Sequence, residues 1–137
     1  MDEAIIVEKL ESLRRCVRRI EEKRPASVEE LKANPDLQDI LSLNLTRAVQ
    51  VAVDIATHVL SASDESAPET MGQAFGQLAA ANIIPNALAA RMISAVGFRN
   101  VAVLSYRSIN WDIVHAISHD QRDDFRSFAE HVIDFLK

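Results

Sequence analysis

Several residue types that define other classes of protein are scarce in this sequence. Its single cysteine, Cys16, excludes an internal disulfide and a cysteine-rich zinc site, and it fits a reducing compartment. Only three glycines, four prolines and few aromatic residues occur among the 137 positions, whereas 48% of the residues are apolar. This composition is typical of one ordinary helical domain with a single core, which we expect to span residues 1–137.

Charge and hydropathy exclude two further classes. Fifteen basic residues against twenty acidic ones give a net charge of −5, which argues against a general nucleic-acid coat protein but leaves room for a local basic face. Asp2 and Glu3 come too early for a signal peptide, and no uncharged apolar run reaches membrane-spanning length. We therefore expect a cytoplasmic protein without a membrane segment.

Apolar periodicity predicts a first helix from about Asp2 to Lys23, with a basic face opposite its apolar stripe. This face is either solvated and neutralised by neighbouring glutamates, which we favour, or a track for RNA or a patch for an acidic partner. The stripe residues are Ile6, Leu10, Leu13, Val17 and Ile20, and the basic residues are Arg14, Arg15, Arg18, Arg19, Lys23 and Arg24.

Helical patterns continue along the rest of the chain, without strand-like alternation. We therefore expect an all-α antiparallel bundle of about five helices. The further predicted elements are a capped turn at Ser27–Leu31, a long helix from near Leu37 to Leu60, a polar linker over Ser61–Glu69, a shorter helix closed by Asn82, a helix that begins at Pro85, and a last helix capped by Asn110.

The predicted second helix is apolar on more than one face, because Leu43, Val49, Val51 and Val53 lie outside its main stripe. A helix of this kind is either central in the bundle or part of a dimer interface.

The same helix carries Asp54 and His58, which are four residues apart and share a face. Such a pair can ligate a metal ion or bond to each other. No third ligand is near in sequence, so we favour a structural pair and expect no metal.

The residues from Gly97 to Arg107 place polar side chains inside an apolar, helix-forming run. On a continuous helix, Arg99 and Tyr106 lie within about 20° of one another; Asn100 is beside Arg99, and Gly97 permits a bend. A guanidinium, an amide and a phenol gathered this closely can hold a phosphate. The alternative is a helix end whose Arg and Tyr cover neighbouring apolar surface.

This stretch resembles the signature Arg-Asn-x-x-x-His-x-Tyr of HEPN-superfamily toxins of the HepT-like group, commonly preceded by Gly and a bulky apolar residue. Arg99, Asn100 and Tyr106 match, whereas Leu104 occupies the histidine position. Length, helix order and residues 109–114 at the start of the last helix also fit, so the resemblance spans essentially the whole sequence. It implies the toxin of a type VII-like HEPN/nucleotidyltransferase pair: a metal-independent endoribonuclease at a homodimer cleft, with RNA as substrate and no cofactor.

Leu104 limits what the resemblance implies for catalysis. In the family, arginine holds the phosphate while histidine transfers a proton, and leucine has no acid or base capacity. We do not expect His115, His119 or His131 to replace it. Three explanations of Leu104 stay open. The chain is a natural, catalytically silent member of the family that keeps only its binding role, or it carries an inactivating change that lets a toxic protein be produced. The third is that the chain acts as a phosphate clamp without hydrolysis.

The resemblance gives two further residues a role. Tyr106 is expected to accept AMP from a minimal nucleotidyltransferase antitoxin, whereas the alternative is a tyrosine packed on apolar neighbours. Asp54 is expected to support the motif from the second helix. Two other functions stay open: a non-catalytic helical dimerisation or adaptor protein that binds a nucleotidyltransferase partner, and a nucleotide-binding regulatory module that uses Arg99 and Asn100.

Overall fold

The computed structural model describes residues 2–63 and 66–137. Over these residues the chain forms six α-helices, one 3₁₀ turn and no strand, which confirms the all-α prediction. The predicted capped turn is a sixth, short helix. Residues 64 and 65 of the predicted linker lie outside the described residues. The elements are α1 (Glu3–Lys23), α2 (Val28–Ala33), α3 (Pro35–Leu60), α4 (Met71–Ala80), α5 (Asn86–Leu104), the 3₁₀ turn (Tyr106–Ser108) and α6 (Trp111–Leu136).

Polar side chains cap the first turns of five of these helices. Each accepts hydrogen bonds from one or two backbone N–H groups that have no partner within the helix. Pro35 follows the Asn34 cap at the first helical position, where its missing N–H costs nothing, so α3 begins two residues before the predicted start. The capping residues are Asp2, Ser27, Asn34, Thr70 and Asn110.

Helix α3 is the centre of the bundle and contacts each of the other five helices. Of its apolar residues outside the main stripe, Val49 and Val53 are buried, Val51 is partly buried and Leu43 is exposed. Most of this additional apolar surface is therefore used within the chain. The central role is confirmed, and α3 by itself no longer argues for a dimer.

Two aromatic residues join α4 to α6 in the core. Phe75 of α4 and Phe128 of α6 are fully buried, and their rings meet edge to face with centroids 5.7 Å apart. Asn82 follows α4 in the left-handed region with φ of 60°, and the N–H of Ile83 bonds to the carbonyl of Leu78 at 2.9 Å. This closes α4 at the predicted residue.

Helix α5 differs from the others because much of its apolar surface faces outward. Among the described residues it is the one helix that is long and apolar enough to cross a membrane. Only 28% of its most apolar 18-residue stretch is buried within the chain. It also carries Arg91 and Arg99, which are costly within a bilayer. The exposed apolar surface of α5 is therefore left without an explanation in the isolated chain.

Candidate functional site

Arg99 lies on α5 where this helix faces α3. Its guanidinium donates from Nη1 to Oδ1 of Asn100 at 3.2 Å and from Nη2 to Oε1 of Gln50 at 3.4 Å. Its Nε is buried and has no acceptor among the described residues. Asn100 and Gln50 therefore orient the guanidinium, whose fork of N–H groups suits an anion.

Gln50 links this arginine to a second polar group on α3. Its Nε2 donates to Oδ1 of Asp54 at 3.2 Å, and Nζ of Lys9 lies 3.5 Å from Oδ2 of the same carboxylate. The interpretation that Asp54 pairs with His58 is wrong, because the carboxylate turns toward Gln50 and Lys9. A supporting role for Asp54 has a physical route through Gln50 and stays a prediction.

The helix that carries Arg99 does not reach the tyrosine. Helix α5 ends at Leu104, and Tyr106 lies in the 3₁₀ turn that follows. The serines at 105 and 108 bond to each other at 2.9 Å, a local side-chain contact that competes with helix continuation. The expectation that Arg99 and Tyr106 share one helical face is therefore wrong.

Arg99 and Tyr106 contact α3 at different positions along its axis. Arg99 bonds to Gln50 and Tyr106 bonds to Asp39; these positions on α3 are eleven residues apart, or about 16 Å along an ideal helix. Arg99 and Asn100 thus form one centre, and Tyr106 forms a second centre further along α3. A single clamp made of all three side chains is not present in the isolated chain.

Tyr106 is both held in place and accessible. Its hydroxyl donates to Oδ1 of Asp39 at 2.5 Å, and its ring meets Trp111 edge to face at 6.0 Å between centroids. The side chain remains 42% exposed. Partial burial, followed by the hydrogen bond and the charge of Asp39, raises the pKa of Tyr106 to about 12. The phenol is therefore protonated at neutral pH, with a carboxylate ready to receive its proton.

Leu104 points into solvent, and at 81% it is the most exposed of the large apolar side chains in the described chain. It lies one helical turn after Asn100. Leu104 therefore does not bury Tyr106, whose side chain is itself 42% exposed. Because a histidine at position 104 would meet no packed neighbour, the fold accommodates either residue.

An apolar stripe runs along the outer face of α5. Its members Ile93, Val101 and Leu104 are all exposed, and Gly97 lies between them on the same face. Helix α5 runs through Gly97 without interruption, so the predicted bend is absent, and a methyl group added there would meet no atom within 4 Å. A glycine inside a helix costs about 0.5–1 kcal/mol relative to alanine, and nothing in the isolated chain requires it.

Two of the three histidines of α6, His115 and His119, make contacts within the chain, and that none of the three replaces the missing histidine stays a prediction. His115 contacts the carbonyl of Pro25 through Nε2 at 2.9 Å, while Arg24 donates to the His115 carbonyl at 2.8 Å. The His119 ring contacts Arg122 at 2.7 Å. Both imidazoles therefore serve structural contacts on α6. No group of three residues suited to hold a metal ion occurs in the described ranges.

Gln50 and Asp39 are the site residues that sequence reasoning missed. The spacing of Gln50 and Asp54, four apart on one helix, was a readable signal for their contact. Asp39 gave no such signal, because its partner Tyr106 lies 67 residues further along the chain.

Fold and motif together place the chain among the all-α HEPN proteins. More narrowly, it belongs to the ribonuclease HepT-like family, whose model matches residues 13–132. The mRNA nuclease HepT of Shewanella oneidensis is 33% identical over 127 residues, which are 92% of this chain and 94% of the relative. The resemblance drawn from the motif is thereby confirmed.

Solved structures of similar proteins agree with this assignment. A tri-AMPylated HEPN toxin of Shewanella oneidensis in complex with an MNT antitoxin superimposes with a TM-score of 0.89 at 30% identity, covering 98% of this chain and 99% of that chain. A toxin–antitoxin complex with AMP-PNP gives a TM-score of 0.87 at 30% identity, covering 96% and 99%. The helices of α1–α6 therefore follow the fold of these toxins.

Proposed function

We propose that this HepT-like chain is the toxin of a type VII-like HEPN/nucleotidyltransferase toxin–antitoxin pair, that it acts on RNA in the cytoplasm, and that AMP transfer to Tyr106 neutralises it. One observation carries the proposal: the family match covers residues 13–132, and within it Arg99, Asn100 and Tyr106 stand at the motif positions and are at least partly accessible.

The arginine centre suits a scissile phosphate. The guanidinium of Arg99 holds the phosphate oxygens, Asn100 and Gln50 fix its orientation, and Asp54 anchors Gln50 from behind. Cleavage through the ribose 2′-hydroxyl also needs a group that moves a proton, and Leu104 cannot do so. A positioned acid or base contributes about 10²–10⁴-fold in rate, so we expect the chain as it stands to be an impaired ribonuclease.

Tyr106 suits the role of AMP acceptor for a minimal nucleotidyltransferase antitoxin. The phenol oxygen attacks the α-phosphate of ATP, pyrophosphate leaves, and the phenol proton passes to Asp39, which already accepts it as a hydrogen bond. The antitoxin supplies the metal ions that neutralise the phosphates. The product places a phosphate and a nucleoside next to exposed Arg107, whose charge then pairs with the adenylate instead of with RNA.

A second copy of the chain suits the exposed stripe of α5. Ile93, Val101 and Leu104 expose apolar surface around Gly97, where the absence of a side chain lets another backbone approach closely. Pairing of two such stripes would bring the two Asn100 side chains, and beside them Arg99, to a shared cleft. The dimer proposal therefore rests on α5 rather than on α3.

Co-expression tests this function in cells. The Leu104→His variant should inhibit growth, and a small nucleotidyltransferase encoded beside it should relieve the inhibition. Tyr106→Phe in the same background is the matched control, since it keeps the ring but should escape the antitoxin. If the antitoxin relieves the growth inhibition equally in Leu104→His and in Leu104→His/Tyr106→Phe, it does not act through this tyrosine.

A non-catalytic adaptor that dimerises and binds a nucleotidyltransferase is the second candidate function. The observation that favours it is the solvent-exposed Leu104 in place of a proton-transferring residue. The adaptor binds the same partner but leaves RNA intact even when position 104 is changed to histidine, so RNA cleavage by the Leu104→His variant distinguishes the two functions.

A further inference from the structure

A groove of about 640 Å³ runs between α1 and α3, beside the arginine centre. Four arginines line it, three from α1 and one from α3, against a single acidic residue. The charged residues of the lining are Arg15, Arg18, Arg19, Arg47 and Glu22. A cleft lined by one sign of charge concentrates ligands of the opposite sign, even on a chain whose net charge is negative.

Three of the four arginines that line the groove form no direct ion pair in the described part of the chain. Arg19 lies 3.6 Å from Glu22, and this pair is exposed. Arg15, Arg18 and Arg47, which we call the groove arginines, form no ion pair with any residue in 2–63 or 66–137. Direct ion pairs with glutamates therefore occur at Arg14 and Arg19. A hydrogen bond from Arg14 lowers the pKa of the Glu11 carboxyl group, whereas Arg15 and Arg18 help to lower it only through their charge.

Groove arginines come from both helices that form the groove. The buried thiol of Cys16 lies in the groove, where burial raises its pKa while the charges of Arg47 and Arg15 oppose the rise. Arg15 belongs to α1 and Arg47 to α3, and both line the groove together with Cys16. Positive charge is therefore contributed by both helices that form the groove.

The groove leads into the arginine centre. Gln50 is part of its lining, and the same side chain accepts the hydrogen bond from Nη2 of Arg99 at 3.4 Å. A ligand that follows the groove along α3 thus arrives at the guanidinium proposed to hold the scissile phosphate. Contacts of this type, with phosphates and not with bases, position a strand without reading its sequence.

We infer that this groove binds the phosphate backbone of the RNA strand and guides it to Arg99. The inference rests on the proposed ribonuclease function, because the groove is assigned through its continuity with that centre. Single-stranded RNA fits better than an acidic protein surface, since the groove shares Gln50 with the centre proposed to hold the scissile phosphate and its arginines are exposed to a passing backbone. The groove arginines then contribute to binding and leave proton transfer untouched.

Salt-dependent binding of the full-length chain to a labelled single-stranded oligouridine tests the inference. Changing the groove arginines together, as R15Q/R18Q/R47Q, removes three phosphate contacts. The slope of log K against log salt should fall by about 2, since each contact with a single strand contributes about 0.7, and affinity at moderate salt should fall by about tenfold or more. Thermal unfolding should stay unchanged, because all three side chains are exposed.

The matched control removes the same charge elsewhere, as R91Q on α5, R122Q on α6 and K137Q directly after α6. It should keep the full salt slope. The inference is overturned if the control loses as much slope as the groove variant, or if the groove variant binds RNA like the unaltered chain. It is also overturned if the groove variant binds RNA with unchanged affinity but no longer binds the antitoxin. If the unaltered chain binds no RNA at any salt concentration, the proposed function itself fails.

Discussion

The hydroxyl of Tyr106 donates a hydrogen bond to Oδ1 of Asp39 at 2.5 Å, and this bond ties the turn after α5 to the start of α3. Residues 67 positions apart are thereby joined at the one tyrosine of the chain. The contact keeps the phenol oriented while leaving the ring partly exposed. Tyr106 therefore has a partly exposed side chain and a neighbouring proton acceptor, two properties that suit an AMP acceptor.

Replacing Asp39 by Asn should lower the pKa of Tyr106 part of the way from about 12 toward its ordinary value of 10. Only part of the shift should disappear, because burial is its largest cause. Ultraviolet absorption reports the phenolate directly, since the chain has one tyrosine. Asp36→Asn, which removes the same charge from the first turn of α3, should leave the titration unchanged. An unaltered pKa in Asp39→Asn would contradict the contact.

The raised pKa also predicts how stability depends on alkaline pH. The folded chain holds the phenol proton more tightly than the unfolded chain, so this stabilisation is complete below pH 10 and is lost as pH rises through about 12. In the Asp39→Asn variant, the pH range over which this stabilisation is lost should be narrower, because the pKa of Tyr106 in the folded chain is lower. Denaturant midpoints measured across that pH range provide the test, and identical pH profiles for the two proteins would argue against it.

Leu104→His should raise RNA cleavage by about 10²–10⁴-fold, because it restores a group that can transfer a proton near neutral pH. Stability should change by no more than about 0.5 kcal/mol, as expected for an exposed position. Adding Arg99→Ala should abolish the gain. Leu43→His, at another exposed leucine, is the control and should not cleave. The account of catalysis is wrong if the unaltered chain already cleaves RNA as well as the histidine variant.

The α5 stripe predicts a dimer that a buried charge would dissociate. Val101→Glu should convert a dimer into a monomer in light scattering at micromolar concentration, because the carboxylate would be desolvated at the contact. Val7→Glu, at an exposed apolar residue of α1, should leave the mass unchanged. A monomeric mass for the unaltered chain would contradict the proposed dimer.

Phe128→Ala should destabilise the fold by about 3–5 kcal/mol, since it removes a fully buried ring that packs against Phe75. Phe135 lies on the same helix but is 41% exposed, so its replacement by Ala should cost much less. Guanidinium denaturation of the two variants gives the comparison. Similar losses at both positions would show that the core is not organised around the α4–α6 aromatic pair.

Local patterns were sufficient to predict most of the helices. The caps at Ser27 and Asn110 and the stop at Asn82 are signals carried by one or two residues, and the structure has each of them. The start of α3 was predicted two residues late, because the combination of an Asn34 cap with Pro35 reads equally well as a break.

The site depended on contacts that local patterns do not carry. Nothing in the motif indicates that the helix stops at Leu104, and this end moves Tyr106 away from Arg99. Gln50 and Asp39 join the site only because α3 packs beside α5 and its following turn. The family resemblance named Arg99, Asn100 and Tyr106, but their separation into two centres is a property of the tertiary structure.

Mapping AMP on the full-length chain tests the central claim most directly. The chain is incubated with its nucleotidyltransferase antitoxin, magnesium and ATP, and its peptides are analysed by mass spectrometry. We expect adenylate on Tyr106 in the unaltered chain, because the acceptor chemistry uses the exposed phenol and Asp39 and does not need the missing histidine. Adenylate on another residue, or modification only after Leu104→His, would contradict the account.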